Sequence, residues 1–340
     1  VALEAPTPTP GVGPTPAALE SDEPHVAADA STFALPAGSF ANRNKTTRVV
    51  SANVTVWKRI REIWRSRELL INLVRTEIKV KYKNSVLGLV WSMISPAMTL
   101  AIFYLVFQVI LKNGMPNFVI FLFSGLLLWN FFQTGVQAGT GVIVNNAGIV
   151  KKVSFPREIL ALASIGSASV FFFFQAIVMV IFMLALKAPP DWKLIPLLFL
   201  ALAAVTVFAA ALAVFLSAVN VYLRDTQHLV EVLLTAWFWA CPIVYSYQRT
   251  ISAQLHRHHL VWLYFLNPVT PLVMTFQRVL YNIRIAPVTT PDHTLTVFLP
   301  PWPWTTYALA DGIILAVSVV LLILALMVFG RLEGNFAEEL

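Results

Sequence analysis

Charge is what this sequence most lacks. Of its 340 residues, 12% are Asp, Glu, Lys or Arg, against roughly 25% in a soluble domain. Hydrophobic residues make up 58%. A soluble fold of that composition would have a core and too little polar surface to cover it. Cysteine is nearly absent as well. Cys241 is alone, which excludes an internal disulfide, and its apolar neighbours suit a small buried hydrophobe. No G-x-x-x-x-G-K followed by Ser or Thr occurs, so the chain offers no P-loop of its own for ATP. The apolar stretches contain no Ser-His-Asp set, metal motif or carboxylate pair. His256, His258 and His259 lie in a polar segment without Cys or carboxylate at ligand spacing; they read as solvated loop residues, with a metal site the weaker alternative. The net charge of +7 does not point to nucleic acid, because the basic residues gather beside the apolar stretches.

Those stretches dominate. Leu87–Leu111, Phe118–Ala138, Ile159–Leu186, Leu194–Val221 and Ile313–Phe329 hold no Asp, Glu, Lys or Arg. A helix rises 1.5 Å per residue, so about 20 apolar residues cross a bilayer's hydrocarbon core. The expected fold is all-α: a polytopic membrane protein with six spans at about 87–111, 117–138, 159–186, 194–221, 229–247 and 307–329. Residues 1–50, with TPTPGVGPTP at Thr7–Pro16, lack a signal peptide's apolar stretch and read as a disordered cytoplasmic tail.

Between tail and spans, Val56, Trp57, Ile60, Ile63 and Trp64 alternate with Lys58, Arg59, Arg61, Arg65 and Arg67. The pattern recurs to Lys83 and predicts an amphipathic helix over 55–84, lying in the membrane interface. Residues 260–281 are apolar but broken by Asn267-Pro268 and Pro271. Two short re-entrant helices fit that stretch better than a span. With six spans the termini share a side. Segments on the N-terminal side hold 17 basic residues and those on the other side 7, which places both termini, including 331–340, in the cytoplasm.

No ionisable residue falls at a span midplane; Glu231 and Asp311 lie nearer span ends. A proton- or sodium-coupled carrier normally needs carboxylates there, so the driving energy is expected from outside the chain. Four stretches then carry a resemblance. They are KVKYKNSVLGLVW at Lys79–Trp91; VKKVSFPRE at Val150–Glu158; NVYLRD at Asn220–Asp225, running on to Cys241-Pro242-Ile243-Val244-Tyr245; and LNPVTPLVMTFQRVLY at Leu266–Tyr281. Together, over about 60–332, the chain resembles the ABC-2-type permeases that export polysaccharide and teichoic acid. The resemblance implies a non-enzymatic, multi-pass homodimer in the bacterial inner membrane. Two separate ATPase subunits bind ATP and Mg, the permease carries no cofactor, and the cargo is a polyprenyl-diphosphate-linked glycan. A narrower likeness, to galactan exporter permeases of mycobacteria and their relatives, implies a galactan-like cargo. A drug or small-lipid permease of the same superfamily is a rival reading. A membrane glycosyltransferase or ligase is another, and it lacks a catalytic carboxylate set in the outer segment.

By the resemblance, Val150–Glu158 is a coupling segment that docks on the ATPase. It has a basic edge, Lys151 and Lys152, an aromatic anchor, Phe155, a turn at Pro156 and an adjacent Arg157–Glu158 pair; plain topology charges are the alternative. Arg224 and Asp225 either solvate a helix end or form a cytoplasmic gate or interface. Arg75, Lys79, Lys81 and Lys83 suit the substrate diphosphate or anionic lipid headgroups equally. Trp237, Phe238, Trp239, Tyr245, Tyr247, Trp262, Tyr264 and Phe265 suit either a glycan conduit of weak ring contacts or helix packing and a lipid belt.

Overall fold

The computed structural model describes residues 56–81, 83, 91–112, 114–287 and 295–340. The expected tail lies outside them, as do the first residues of the expected first span. The compact unit is Val50–Leu340. Its helices in chain order are α1 (Val56–Arg65), α2 (Arg67–Lys81), α3 (Trp91–Tyr104), α4 (Phe118–Asn145), α5 (Ala147–Lys152), α6 (Glu158–Ala185), α7 (Ile195–Tyr222), α8 (Thr226–Ala240), α9 (Ser252–Arg257), α10 (Val261–Phe265), α11 (Val269–Leu280), α12 (Trp304–Leu332) and α13 (Phe336–Glu339). Among the described residues four helices are long and apolar enough to cross a membrane: α4, α6, α7 and α12 with their flanking turns. The chain is thus an all-α polytopic membrane protein.

α4 is the centre. It packs against α6, α7, α11 and α8, and it carries the largest buried side chains, among them Trp129, Phe121 and Phe132. It runs seven residues beyond the expected end at 138. The extension reads GTGVIVN, which looks like a loop, but it packs instead. A Cβ on Gly139 would lie 2.5 Å from the Ala213 Cβ, so glycine lets α7 approach at that point. Thr140 returns its hydroxyl to the Val136 carbonyl at 2.8 Å, and Asn146 closes the end by donating to the Val142 carbonyl at 2.8 Å. Midway along, Asn130 donates to Gln175 of α6 at 3.2 Å.

Three expected elements differ in form. The interface helix is two helices, α1 and α2, meeting at Ser66. α3 contains Pro96 and passes into a π-helical turn, Leu105–Ile110. The stretch expected as a fifth span, 229–247, holds α8, which stops at Ala240 and is not among the helices long enough to cross. Pro242 lacks an N–H and restricts the residue before it, so the helix cannot continue through Cys241.

Residues 260–281 break at Asn267-Pro268, while the expected breaker Pro271 is accommodated in the first turn of α11. Asn267 sits between α10 and α11 and satisfies the interrupted backbone by accepting the Val269 N–H at 3.0 Å. Its Oδ1 also accepts the Trp237 indole N–H at 2.8 Å. α11 is buried throughout. A two-stranded antiparallel hairpin, Ile285–Pro287 with Leu295–Val297, follows it and had no counterpart in the sequence reading.

The helices share two ends. The finish of α7 meets the finish of α12, where the Tyr222 hydroxyl donates to the Leu332 carbonyl at 2.7 Å. At the opposite end the Tyr281 hydroxyl donates to the Pro116 carbonyl, just before α4, at 2.9 Å. Outward faces are apolar: Phe173, Ile177 and Ile181 on α6, and Ile313, Val317 and Val320 on α12, are all exposed. Such a surface suits lipid rather than water.

Candidate functional site

The end where α7 and α12 finish also gathers α1, the α5–α6 link and α13. α5 is short and ends in Lys151 and Lys152, cations placed where a helix C-terminus favours them. Val153 is extended, and Pro156 starts the turn into α6, the Ile159 N–H donating to its carbonyl at 3.2 Å. Lys151, Lys152, Val153 and Ser154 are exposed, as is Ile149. Phe155 is half-buried and packs on the protein's own core. The side chains of the link most open to a partner are therefore Ile149, Lys151, Lys152 and Val153.

Arg157 and Glu158 do not pair with each other. Glu158 is buried and binds Arg59 of α1. The same guanidinium donates from both Nη1 and Nη2 to Oε2 of Glu333, at 3.1 Å each. Arg157 donates to the Glu333 carbonyl at 2.8 Å and lies over the Phe336 ring, 5.8 Å from its centroid. Burial alone would lower the Arg59 pKa; the Glu158 and Glu333 carboxylates outweigh it and raise the value. The cation is therefore held charged. A Cβ on Gly330 would lie 2.6 Å from Cζ of Arg59, so a side chain at 330 would displace the guanidinium. The cluster joins residues 99 and 274 positions apart in sequence.

α2 docks on α6 beside this cluster. Glu77 accepts hydrogen bonds from Ser167 at 2.5 Å and Ser164 at 3.3 Å, and Val74 packs at Gly166. Of the four basic candidates, Lys81 places its ammonium 4.2 Å from the Phe171 ring centroid. Arg75, Lys79 and Lys83 are exposed. Trp57 and Trp64 of α1 are also exposed. Arg224 and Asp225 occupy the exposed turn between α7 and α8, and no ion pair joins them among the described residues.

The aromatic candidates divide into two groups. Trp237 and Phe238 belong to the core: Trp237 meets Phe132 edge to face at 5.4 Å and Phe208 at 6.2 Å, while Phe238 stacks on Phe103 at 5.9 Å. Trp239 is exposed. Toward the opposite end, Tyr247 stacks on Tyr264 and meets Phe265, each at 5.4 Å. Tyr245 and Tyr264 approach hydroxyl to hydroxyl at 3.4 Å. Trp302 and Tyr307 extend this group. Trp262 stands apart and exposed.

Neither the Arg59–Glu158–Glu333 cluster nor the burial of Asp311, which accepts from Thr275 at 3.1 Å, follows from the sequence pattern alone. The signal available was charge in or beside an apolar stretch, which demands a partner. Among the described residues no group of three or more His, Cys, Asp or Glu is placed to hold a metal.

Residues 68–281, from α2 through α11, match the family model of the ABC-2 type transporter. The O-antigen export system permease protein RfbA of Myxococcus xanthus is 33% identical over 281 residues, which covers 83% of this chain and 98% of that protein. A protein of the same name from Klebsiella pneumoniae is 24% identical over 273 residues, covering 80% and 95%. The family match spans more than half the chain and takes in the link, the α7–α8 turn and the α10–α11 pair, so the chain belongs to the ABC-2 type transporter family.

Proposed function

We propose that the chain is the transmembrane subunit of an ATP-driven exporter of a lipid-linked polysaccharide. The similarity to O-antigen export permeases over nearly their full length carries the reading. In it, two copies form the membrane path and two separate ATPase subunits bind ATP and Mg. The cargo is a glycan on a polyprenyl diphosphate, galactan-like by the narrower resemblance. The membrane is the bacterial inner membrane, and the end bearing α1, the α5–α6 link and α13 faces the cytoplasm.

Within that reading the link docks on the ATPase through Lys151, Lys152 and their exposed apolar neighbours. Phe155, Pro156, Arg157 and Glu158 set the link's angle on the bundle. A push on the link then reaches α1 and the end of α12 through directional, charge-assisted bonds. Arg224 and Asp225 present a second polar contact at the same end. Arg75, Lys79, Lys81 and Lys83 meet the substrate diphosphate or neighbouring headgroups. Trp239 and Trp262, being exposed, are the rings best placed to touch sugar; the other six brace the path.

The test is reconstitution. This chain is purified from native membranes with its associated ATPase and placed in liposomes beside the chain alone. ATP hydrolysis and movement of polyprenyl-diphosphate glycan are expected with the ATPase present and absent without it. Glycan movement that proceeds without ATP, or failure of any ATPase to copurify, overturns the reading.

A further inference from the structure

At the end opposite the ionic cluster, a pocket of about 580 Å³ opens between the start of α7, the end of α11 and the start of α12. Its floor is apolar, with Leu197 of α7 among the lining side chains. Its rim is basic. Lys193, Arg278 and Arg284 face one carboxylate, Asp191.

Arg278 is 4% exposed. It donates to Asn282 Oδ1 at 2.7 Å and to Asp191 Oδ2 at 3.2 Å. Asp191 is fixed in turn, its backbone N–H donating to the Val279 carbonyl at 2.9 Å. One carboxylate balances one cation. Arg284 lies near enough for its charge to repel that of Arg278, and among the described residues neither Lys193 nor Arg284 forms an ion pair. The rim therefore carries an uncompensated positive charge on Lys193 and Arg284, beside the buried and paired guanidinium of Arg278. Guanidinium forks match phosphate oxygens. Trp304, 58% exposed on the same rim, is the ring type favoured at the headgroup level of a bilayer.

We infer that this pocket binds the phosphate of an anionic phospholipid, its apolar stem lying on the α7 floor. The inference stands apart from the exporter reading, since it needs only the pocket and a bilayer. The bound lipid would join the α6–α7 turn, α11 and α12.

Native mass spectrometry tests it on the full chain released from mixed micelles containing either dioleoyl phosphatidylglycerol or dioleoyl phosphatidylcholine. The variants are the double substitution Lys193→Gln/Arg284→Gln, both at exposed positions, and Arg257→Gln in α9 as a charge control. Phosphatidylglycerol adducts are expected to exceed phosphatidylcholine adducts on the unaltered chain. They should weaken about 25-fold in the double variant, from roughly fivefold per cation, and persist in Arg257→Gln. Equal adducts of the two lipids, or no loss in the double variant, overturns the inference. An equal loss in Arg257→Gln overturns it too, by showing diffuse attraction. If sodium diphosphate binds the unaltered chain while phosphatidylglycerol does not, the site takes a soluble phosphate and the lipid assignment fails.

Discussion

The two ends of the bundle are joined by different chemistry. Where α1, the α5–α6 link and α13 meet, charges do the joining: Arg59 sits between Glu158 and Glu333, and Arg157 reaches the same turn. At the other end, rings and prolines predominate. Tyr247, Tyr264, Phe265, Trp302 and Tyr307 form a chain of ring contacts, stacked at Tyr247–Tyr264 and edge-on or tilted elsewhere, and Arg278–Asp191 is the ion pair among the described residues there. Hydrogen-bonded charge pairs fix distance and angle, while ring contacts keep most of their energy through small slides. The first end therefore holds its elements at fixed distances, and the second tolerates small slides.

The comparison can be broken most directly at Arg59. Arg59→Ala leaves Glu158 buried without its cation. Breaking such a pair costs about 3–5 kcal/mol, and Arg61→Ala, at an exposed position, should stay within about 0.5 kcal/mol. Thermal unfolding of the purified chain in detergent measures both. Equal effects would mean the cluster is incidental.

Next in size is Arg278→Gln at the opposite end. Asp191 is partly exposed, so water can solvate it when the cation is gone, and a loss of about 2 kcal/mol is expected. A loss as large as that of Arg59→Ala would erase the contrast between the ends.

Charge reversal at Lys151 and Lys152 sharpens the functional half of the comparison. Both are solvated, so stability should be unchanged. Affinity for the ATPase is expected to fall about tenfold at low salt, with the gap narrowing as salt rises; titration of the two purified components at two ionic strengths reads it. Unaltered affinity would leave them as topology charges. Phe155→Ala is a different case, because the ring packs on the core and its loss lowers stability together with any effect on docking.

The smallest expected effect is Trp237→Phe, which removes the indole donor to Asn267 and keeps most of the ring. One lost hydrogen bond is worth about 1 kcal/mol, again read by thermal unfolding. Trp239→Phe should change stability by less than that, since Trp239 is exposed.

The four long helices α4, α6, α7 and α12 were legible because long uncharged stretches have few other uses, and the break between α10 and α11 was legible at Asn267-Pro268, while Pro271 is accommodated in the first turn of α11. The extension of α4 was not, since GTGVIVN has loop composition and becomes helical only when Ala213 packs at Gly139. α8 was read too long because hydropathy continues past Pro242 while the backbone cannot. The ionic cluster was invisible for another reason. Arg59, Glu158 and Glu333 each look like ordinary edge charges, and only folding brings them within bonding distance. The adjacent Arg157 and Glu158 suggested a local pair, yet their side chains leave the start of α6 toward different partners.

The early stop of α8 has a consequence for the surrounding bilayer. Fifteen residues span about 22 Å of rise, less than the roughly 30 Å of a typical hydrocarbon layer. Its outward side chains, Leu229, Val232 and Leu233, are exposed and need an apolar neighbour. Lipid that fills this place must thin to match the short helix.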